Sequence, residues 1–255
     1  MHSSPTILVT RPAGQAGGLL ASLAQHGLCG IHQPMMVLHP LAELPPGLRQ
    51  CLIDLDQYQH VIFISVNAVR FGLDCIDDYW PQLPTGINWY AVGVSTAALL
   101  AQRGLEPLSP EAQMDSEGLL VLPELAQVES QKVLIIKGEG GRQALKKVLT
   151  ARGAQVDELA CYQRRCPDLA PGKLAQILDT RQVDTVLISS GEGLNNMLTL
   201  LSDKENTKFR DIGLVVPSSR VATLAQQAGF TDITTAANAS DDAMLEALLT
   251  RRGGE

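Results

Sequence analysis

KGEGGRQALKKVLTARG, residues 137–153, follows the apolar run VLII (133–136) and reads as a basic, glycine-rich turn entering an amphipathic helix. Leu145, Val148 and Leu149 form the apolar stripe of that helix, with Lys146, Lys147 and Arg152 left for solvent. Gly153 stands where a left-handed residue closes a helix. A turn of this kind points free backbone N–H groups at an anion. The chain repeats the statement near its start, where RPAGQAGGLLASLAQHG (11–27) follows ILVT (7–10).

The two turns align residue by residue. Arg11 matches Lys137, Gly14 matches Gly140, Leu19 matches Leu145, Leu23 matches Leu149 and Gly27 matches Gly153, each 126 positions apart. VIFISVNAV (61–69) faces VLISSGEGL (186–194) at an offset of 125, and WYAVGVSTAALLAQRG (89–104) faces LVVPSSRVATLAQQAG (214–229) at the same offset. Ser116-Glu117 faces Ser240-Asp241 at 124. Matches in one order at a nearly constant offset mean a duplicated unit. VIFIS (61–65), VLIIK (133–137) and TVLIS (185–189) are near-continuous apolar runs, as parallel strands covered on both faces require. Strand, small-residue turn and helix alternate, so the expected fold is α/β, in two similar domains with open parallel sheets.

Composition narrows the function. A chain of 255 residues with 45% apolar content fills one large core or two ordinary ones. A net charge of −7 argues against polyanion binding through bulk attraction, so an anionic ligand needs local basic groups and helix ends. Five cysteines without a CxxC pair read as thiols in a reducing compartment. No signal peptide and no apolar run long enough for a membrane span is legible, so the expectation is a cytoplasmic protein.

Two cuts of the chain are open on periodicity alone. One falls near residue 126. The other uses QPMMVLHPLAELPPG (33–47) and DELACYQRRCPDLAPG (157–172) as linkers, making 41–157 one domain and the two ends the other. In either case ligands of an open α/β sheet bind beyond the carboxyl ends of the strands. The turns there nominate Arg11, Ser65, Asn67, Gly93, Thr96, Lys137, Gly138, Arg142, Ser190 and Ser219 as binding residues. None of these turns is a nucleotide loop: no GK[ST] follows the glycines, and GEGGRQ lacks the last glycine of GxGxxG. Glycines after strands also serve as plain tight turns, but two basic turns related by the repeat favour a shared anion-binding role. The five histidines have no metal-ligand spacing, and no GxSxG elbow occurs. Tyr162, between Cys161 and Gln163-Arg164-Arg165, is either an aromatic that glues the hinge or a hydroxyl facing a cleft.

ILVTRP, IFISVNAV, YAVGVSTAALLAQRGLEP and KGEGGRQALKKVLTARGAQVDELACYQRR, with the weaker C-terminal repeat, together resemble the uroporphyrinogen-III synthase family, most of all its proteobacterial members. The resemblance spans nearly the whole chain. It implies two flavodoxin-like α/β domains, the second inserted into the first, joined by a two-stranded β-ladder with a cleft between them. The implied boundaries are 1–34 with 167–255, and 41–157, with 33–41 and 157–167 as linker strands. The implied reaction closes linear hydroxymethylbilane to uroporphyrinogen III, with loss of water and inversion of ring D through a spiro intermediate, and needs no metal or organic cofactor. It also implies a monomer that receives its substrate from the preceding pathway enzyme.

Carried over by position, Tyr162 is the candidate general acid and Thr96 a cleft threonine. The second-half counterpart of that threonine falls at Val221, and Ser218 or Ser219 would have to replace it. A two-domain protein that closes on a small anion without chemistry is the alternative.

Overall fold

The computed structural model describes residues 5–253 apart from 42, 112 and 142. In chain order it begins with β1 (Thr6–Val9), α1 (Gly17–Gln25), β2 (Cys29–His32), β3 (Val37–Pro40) and α2 (Pro46–Ile53). Next come β4 (His60–Phe63), α3 (Val66–Asp77), β5 (Asn88–Ala91), α4 (Val94–Gln102) and α5 (Ser116–Leu119). After these run β6 (Lys132–Gly138), α6 (Ala144–Ala151), β7 (Gln155–Arg165), α7 (Lys173–Thr180) and β8 (Val183–Leu187). The chain ends with α8 (Gly191–Leu200), α9 (Asp203–Lys208), β9 (Gly213–Val216), α10 (Ser219–Gln227), β10 (Ile233–Thr235) and α11 (Asp241–Gly253).

Two compact units result, Met1–Leu38 with Arg165–Glu255, and His39–Arg164. The sheet of the first is β2-β1-β8-β9-β10, and all its pairings are parallel. That order, with the unit's second strand outside its first and the rest on the other side, is the flavodoxin-like doubly wound one. The second sheet runs β5-β4-β6-β7-β3, parallel from β5 to β7. By the repeat, β6 and β7 stand for β1 and β2, and β4 and β5 for β8 and β9. An isolated parallel bridge between Tyr90 and Leu108 takes the place that β10 holds in the other sheet. The two units therefore share one strand order with different chain starts. β3 is an addition that lies beside β7 at the far edge.

Burial follows the sequence pattern. In the first sheet Leu8, Val186, Ile188, Leu214 and Val216 pack on one face with Leu174, Leu178 and Met197. Ile7, Val9, Leu187 and Val215 pack on the other with Leu19, Leu23, Met244 and Leu248. Because both faces are covered, Ile7–Val9, Val186–Leu187 and Leu214–Val216 of the three central strands are apolar without alternation. Gly27, Gly104, Gly153 and Gly229 all take positive φ. The residue after each donates its N–H to a carbonyl five positions back, as from Leu28 to Leu23 and from Phe230 to Ala225. This satisfies carbonyls that the helix end leaves open, and the left-handed residue it needs favours glycine.

Helix α3 lies so close to β6 that one position admits no side chain. A Cβ on Gly72 would run into Ile136 Cγ2, with Phe63 Cε1 at 3.3 Å. Gly72→Ala is expected to lower unfolding stability by about 1–3 kcal/mol, the usual cost of overpacking. A urea melt with an unchanged midpoint would show that the helix shifts freely.

Candidate active site

In doubly wound sheets the chain leaves neighbouring strands in opposite directions at one point, and the loops there splay apart to leave a crevice. That point lies between β8 and β1 in the first unit and between β4 and β6 in the second. Arg11 and Ser190 follow β1 and β8; Gly138 ends β6 and Ser65 follows β4. Ser65, Gly93, Ser190 and Ser218 are the N-caps of α3, α4, α8 and α10, and all four have the same extended backbone. Ser65 Oγ accepts the Ala68 N–H at 3.1 Å and Ser190 Oγ accepts that of Gly193 at 3.0 Å. Each hydroxyl thereby satisfies one otherwise open helix donor.

In the second unit, Tyr162 comes to the same place as Ser65 and Gly138. The parallel register pairs Lys137 with Ala160 but Gly138 with Tyr162, so the strands slip by one residue at this point. Cys161 is the extra residue, and its thiol donates to the Lys137 carbonyl at 3.3 Å. Burial pushes that thiol's pKa up, so it stays protonated and inert. The Tyr162 ring stacks on Phe71 with centroids 5.1 Å apart, and its hydroxyl lies 3.4 Å from Ser65 Oγ. A Cβ on Gly138 would stand 2.6 Å from Tyr162 Cζ, so only glycine lets the ring lie there.

The two basic residues of the repeated turns are each held by a carboxylate. Arg11 Nη2 lies 2.7 Å from Asp241 Oδ1 and also donates to the Ala239 carbonyl at 2.6 Å. Lys137 is buried, with Nζ 2.9 Å from Glu158 Oε1, and Lys146 Nζ reaches Glu158 Oε2 at 3.5 Å. Burial alone would raise the Glu158 pKa, but the two ammonium groups outweigh it and hold the carboxyl below its ordinary range. A pocket of about 330 Å³ opens here at the carboxyl ends of β4, β5 and β6, lined by Ile64, Val92, Met114, Lys137, Lys146, Glu158 and Arg164 among others.

Of the remaining nominated residues, Thr96 and Asn67 belong to the second unit and Ser219 to the first. Thr96 is buried in the first turn of α4, and its hydroxyl has no hydrogen-bond partner among the described residues. Asn67 is half-buried in the first turn of α3. Ser219 is exposed at the start of α10, Ser218 is its half-buried N-cap, and Val221 is buried in the core of the first unit. Arg142 lies outside the described residues.

The sequence pattern assigns Lys146 and Arg152 to solvent, and the structure corrects both. Lys146 turns toward Glu158, and Arg152 Nη1 donates to the carbonyls of Leu120 and Leu125. Glu158 is absent from the residues that the sequence nominates, because it lies within β7, in register with Ile135. No signal in the chain short of that register points to it.

The class is thus a protein of two doubly wound α/β units whose strand-end turns carry hydroxyls, helix N-termini and paired charges. The family model described as uroporphyrinogen-III synthase HemD matches residues 18–246. The uroporphyrinogen-III synthase of Escherichia coli (strain K12) is 35% identical over 249 residues, covering 95% of this chain and 99% of the relative. That of Synechococcus elongatus is 29% identical over 203 residues, covering 77% and 75%. Among solved structures, a mutant uroporphyrinogen III synthase of Thermus thermophilus superposes with a TM-score of 0.61 at 16% identity, covering 99% of this chain and all of that one. The enzyme of Helicobacter pylori 26695 gives 0.61 at 14% identity, covering 97% and 99%. The chain belongs to the uroporphyrinogen-III synthase family.

The Glu158 linkage has a definite sign. Its carboxyl sits below the ordinary value of 4.5, so the pairing stabilises the fold above that pH and is lost as pH falls through the depressed folded value. Glu158→Gln leaves the Lys137 ammonium buried and unpaired, at an expected cost of about 3 kcal/mol at pH 7. The gap from wild type should close as pH falls through the depressed folded value, where the wild-type carboxyl also protonates. Urea melts across pH check this, and a gap independent of pH would show that packing, not charge, is responsible.

Proposed function

We propose that this chain is a cyclising hydro-lyase that converts hydroxymethylbilane to uroporphyrinogen III. The observation that carries the reading is the collinear 35% identity, over 95% of the chain, to a relative named for that reaction. A small-anion sensor without catalysis, the alternative read from the sequence, finds no support in these matches.

The hydroxyl of the terminal hydroxymethyl group takes a proton and leaves as water, while the pyrrole nitrogen supplies the electron pair that makes an azafulvenium cation. The substituted α-carbon of ring D attacks that cation to give a spiro centre. Its fragmentation and reclosure on the other α-carbon invert the ring, and one proton is released at the carbon that closes the macrocycle. Departure of water is electronically easy, so holding the near-attack geometry supplies much of the rate. Tyr162 is the proton donor in this reading. Its ring is buried, and its hydroxyl faces Ser65 Oγ, so the proton leaves past or through Ser65. The Thr96 hydroxyl and the helix N-termini at Ser65, Gly93, Ser190 and Ser218 are offered to substrate carboxylates. Ser218 or Ser219 takes the place of the hydroxyl that Val221 lacks.

We read the two units as the domains, with residues 33–41 and 157–167 as the connecting strands. The enzyme acts as a monomer in the cytoplasm on bilane handed over by the enzyme that makes it. Among the described residues no helix is long and apolar enough to cross a membrane.

The test mixes fresh hydroxymethylbilane with purified, metal-free protein, oxidises the product and separates the I and III isomers. Clear excess of type III is expected; type I alone, at the spontaneous rate, would overturn the reading. Tyr162→Phe and Thr96→Ala should each slow turnover roughly 10- to 100-fold without abolishing it, since positioning is shared and a single acid contributes at the low end of its range. Complete loss in either folded variant would sink that distributed picture.

A further inference from the structure

The pocket at the ends of β4, β5 and β6 is not accounted for by the hydroxyl cluster around Tyr162. Its walls are apolar: Ile64, Val92 and Met114, with Ile135 and Leu145 also lining it. Its polar groups are unusually disposed for a structural ion pair. Lys137 is only 5% exposed, and its ammonium carries three donors, yet among the described residues it makes a single hydrogen bond, to Glu158. A buried ammonium with unused donors calls for a further acceptor. Lys146, 42% exposed, touches Glu158 only at 3.5 Å and has donors to spare. Glu158 has lone pairs beyond the two these lysines use. Asp115, the other carboxylate of the lining, is engaged: it accepts from the Gly118 N–H and from Gln113 Nε2.

The pocket thus offers an acceptor, cations (two lysine ammoniums with donors to spare and the neighbouring Arg164) and apolar walls in one concavity. A simple anion would use the cations and be repelled by Glu158. A pyrrole uses all three, since it has an N–H to donate, ring faces to bury and carboxylate arms to be held. We propose that this pocket is a subsite for one pyrrole ring of the bilane, with Glu158 accepting the pyrrole N–H and Lys146, backed by Lys137, binding a carboxylate arm. Eight carboxylates on four rings give two arms per ring. The volume suits one ring and its arms rather than a whole tetrapyrrole. The inference rests on the synthase reading for the identity of the ligand, but the pocket's own chemistry stands apart from it.

The experiment titrates the full chain with a synthetic monopyrrole carrying two carboxylate arms, and separately with succinate, by calorimetry or amide NMR shifts. Saturable pyrrole binding is expected, with succinate at least tenfold weaker. Lys146→Met, at a half-exposed position that folding should tolerate, should weaken pyrrole binding about tenfold. In the isomer assay it should raise KM for the bilane more than it lowers kcat. Pyrrole binding untouched by Lys146→Met, in a protein that still makes type III isomer, would overturn the subsite and leave the synthase reading standing. Succinate binding as well as the pyrrole would reduce the pocket to a plain anion site and also overturn it. Type I product alone, with Lys146-dependent pyrrole binding intact, would remove the synthase reading and keep the pocket's ligand class.

Discussion

The parallel pairing of β7 with β6 is the constraint on which the second unit's chemistry depends. For six positions the strands run in step, from Lys132 opposite Gln155 to Lys137 opposite Ala160. This places Glu158 where both Lys137 and Lys146 reach it. Then Cys161 is left over, and the register resumes with Tyr162 beside Gly138. A bulge re-aims the side chain that follows it. Here it brings a large ring over the single residue that has no side chain to obstruct it. One irregularity of one residue thus separates a charged pocket from a hydroxyl pair on the same two strands.

The duplication explains why the first unit differs. Arg11 and Lys137 are equivalent by repeat, and each meets a carboxylate, but the partners come from unrelated places: Asp241 from the first turn of α11 and Glu158 from β7. Gly18 keeps room for Asp241, since a Cβ there would lie 2.7 Å from its Oδ2. Pairing of the turn cation thus recurs in both units through different partners. What the repeat passed on is the backbone of strand, turn and helix, with the extended cap residue shared by α3 and α8 and by α4 and α10.

This division also explains what the sequence could disclose. Strands buried on both faces cannot alternate, so β4, β6 and β8 stand out as apolar runs, and the glycines that close the helices mark the period. The polar edge strand β2 (CGIH) and the three-residue β10 (ITT) carry no such signal, because an edge strand has less to bury. β7 is harder to read. Its sequence, QVDELACYQRR, mixes charge with apolar residues and suggests a linker, yet most of it lies within the sheet. Ser65, Ser190 and Thr96 are legible as candidate sites because any residue just past a parallel strand lies at the ligand-facing end. Glu158 and the Lys146 contact are not, because they depend on which residue of one strand lies beside which of another, and local sequence does not encode that.

On the proposed reading, in which the paired cations meet the substrate, they suit the chemistry better than free ones would. The substrate is a polyanion, which asks for positive charge, but the reaction develops a cation at the azafulvenium carbon. Unpaired lysines beside it would raise the barrier they had lowered for binding, because charge–charge energies grow steeply in a desolvated site. A cation matched with a carboxylate still offers N–H donors to a substrate arm while contributing little net field. Hydroxyls and helix N-termini act in the same way, as fixed dipoles that orient without adding a full charge. A chain with a net charge of −7 can then bind an octacarboxylate through many modest contacts. Removing any single one should loosen the geometry without erasing the reaction.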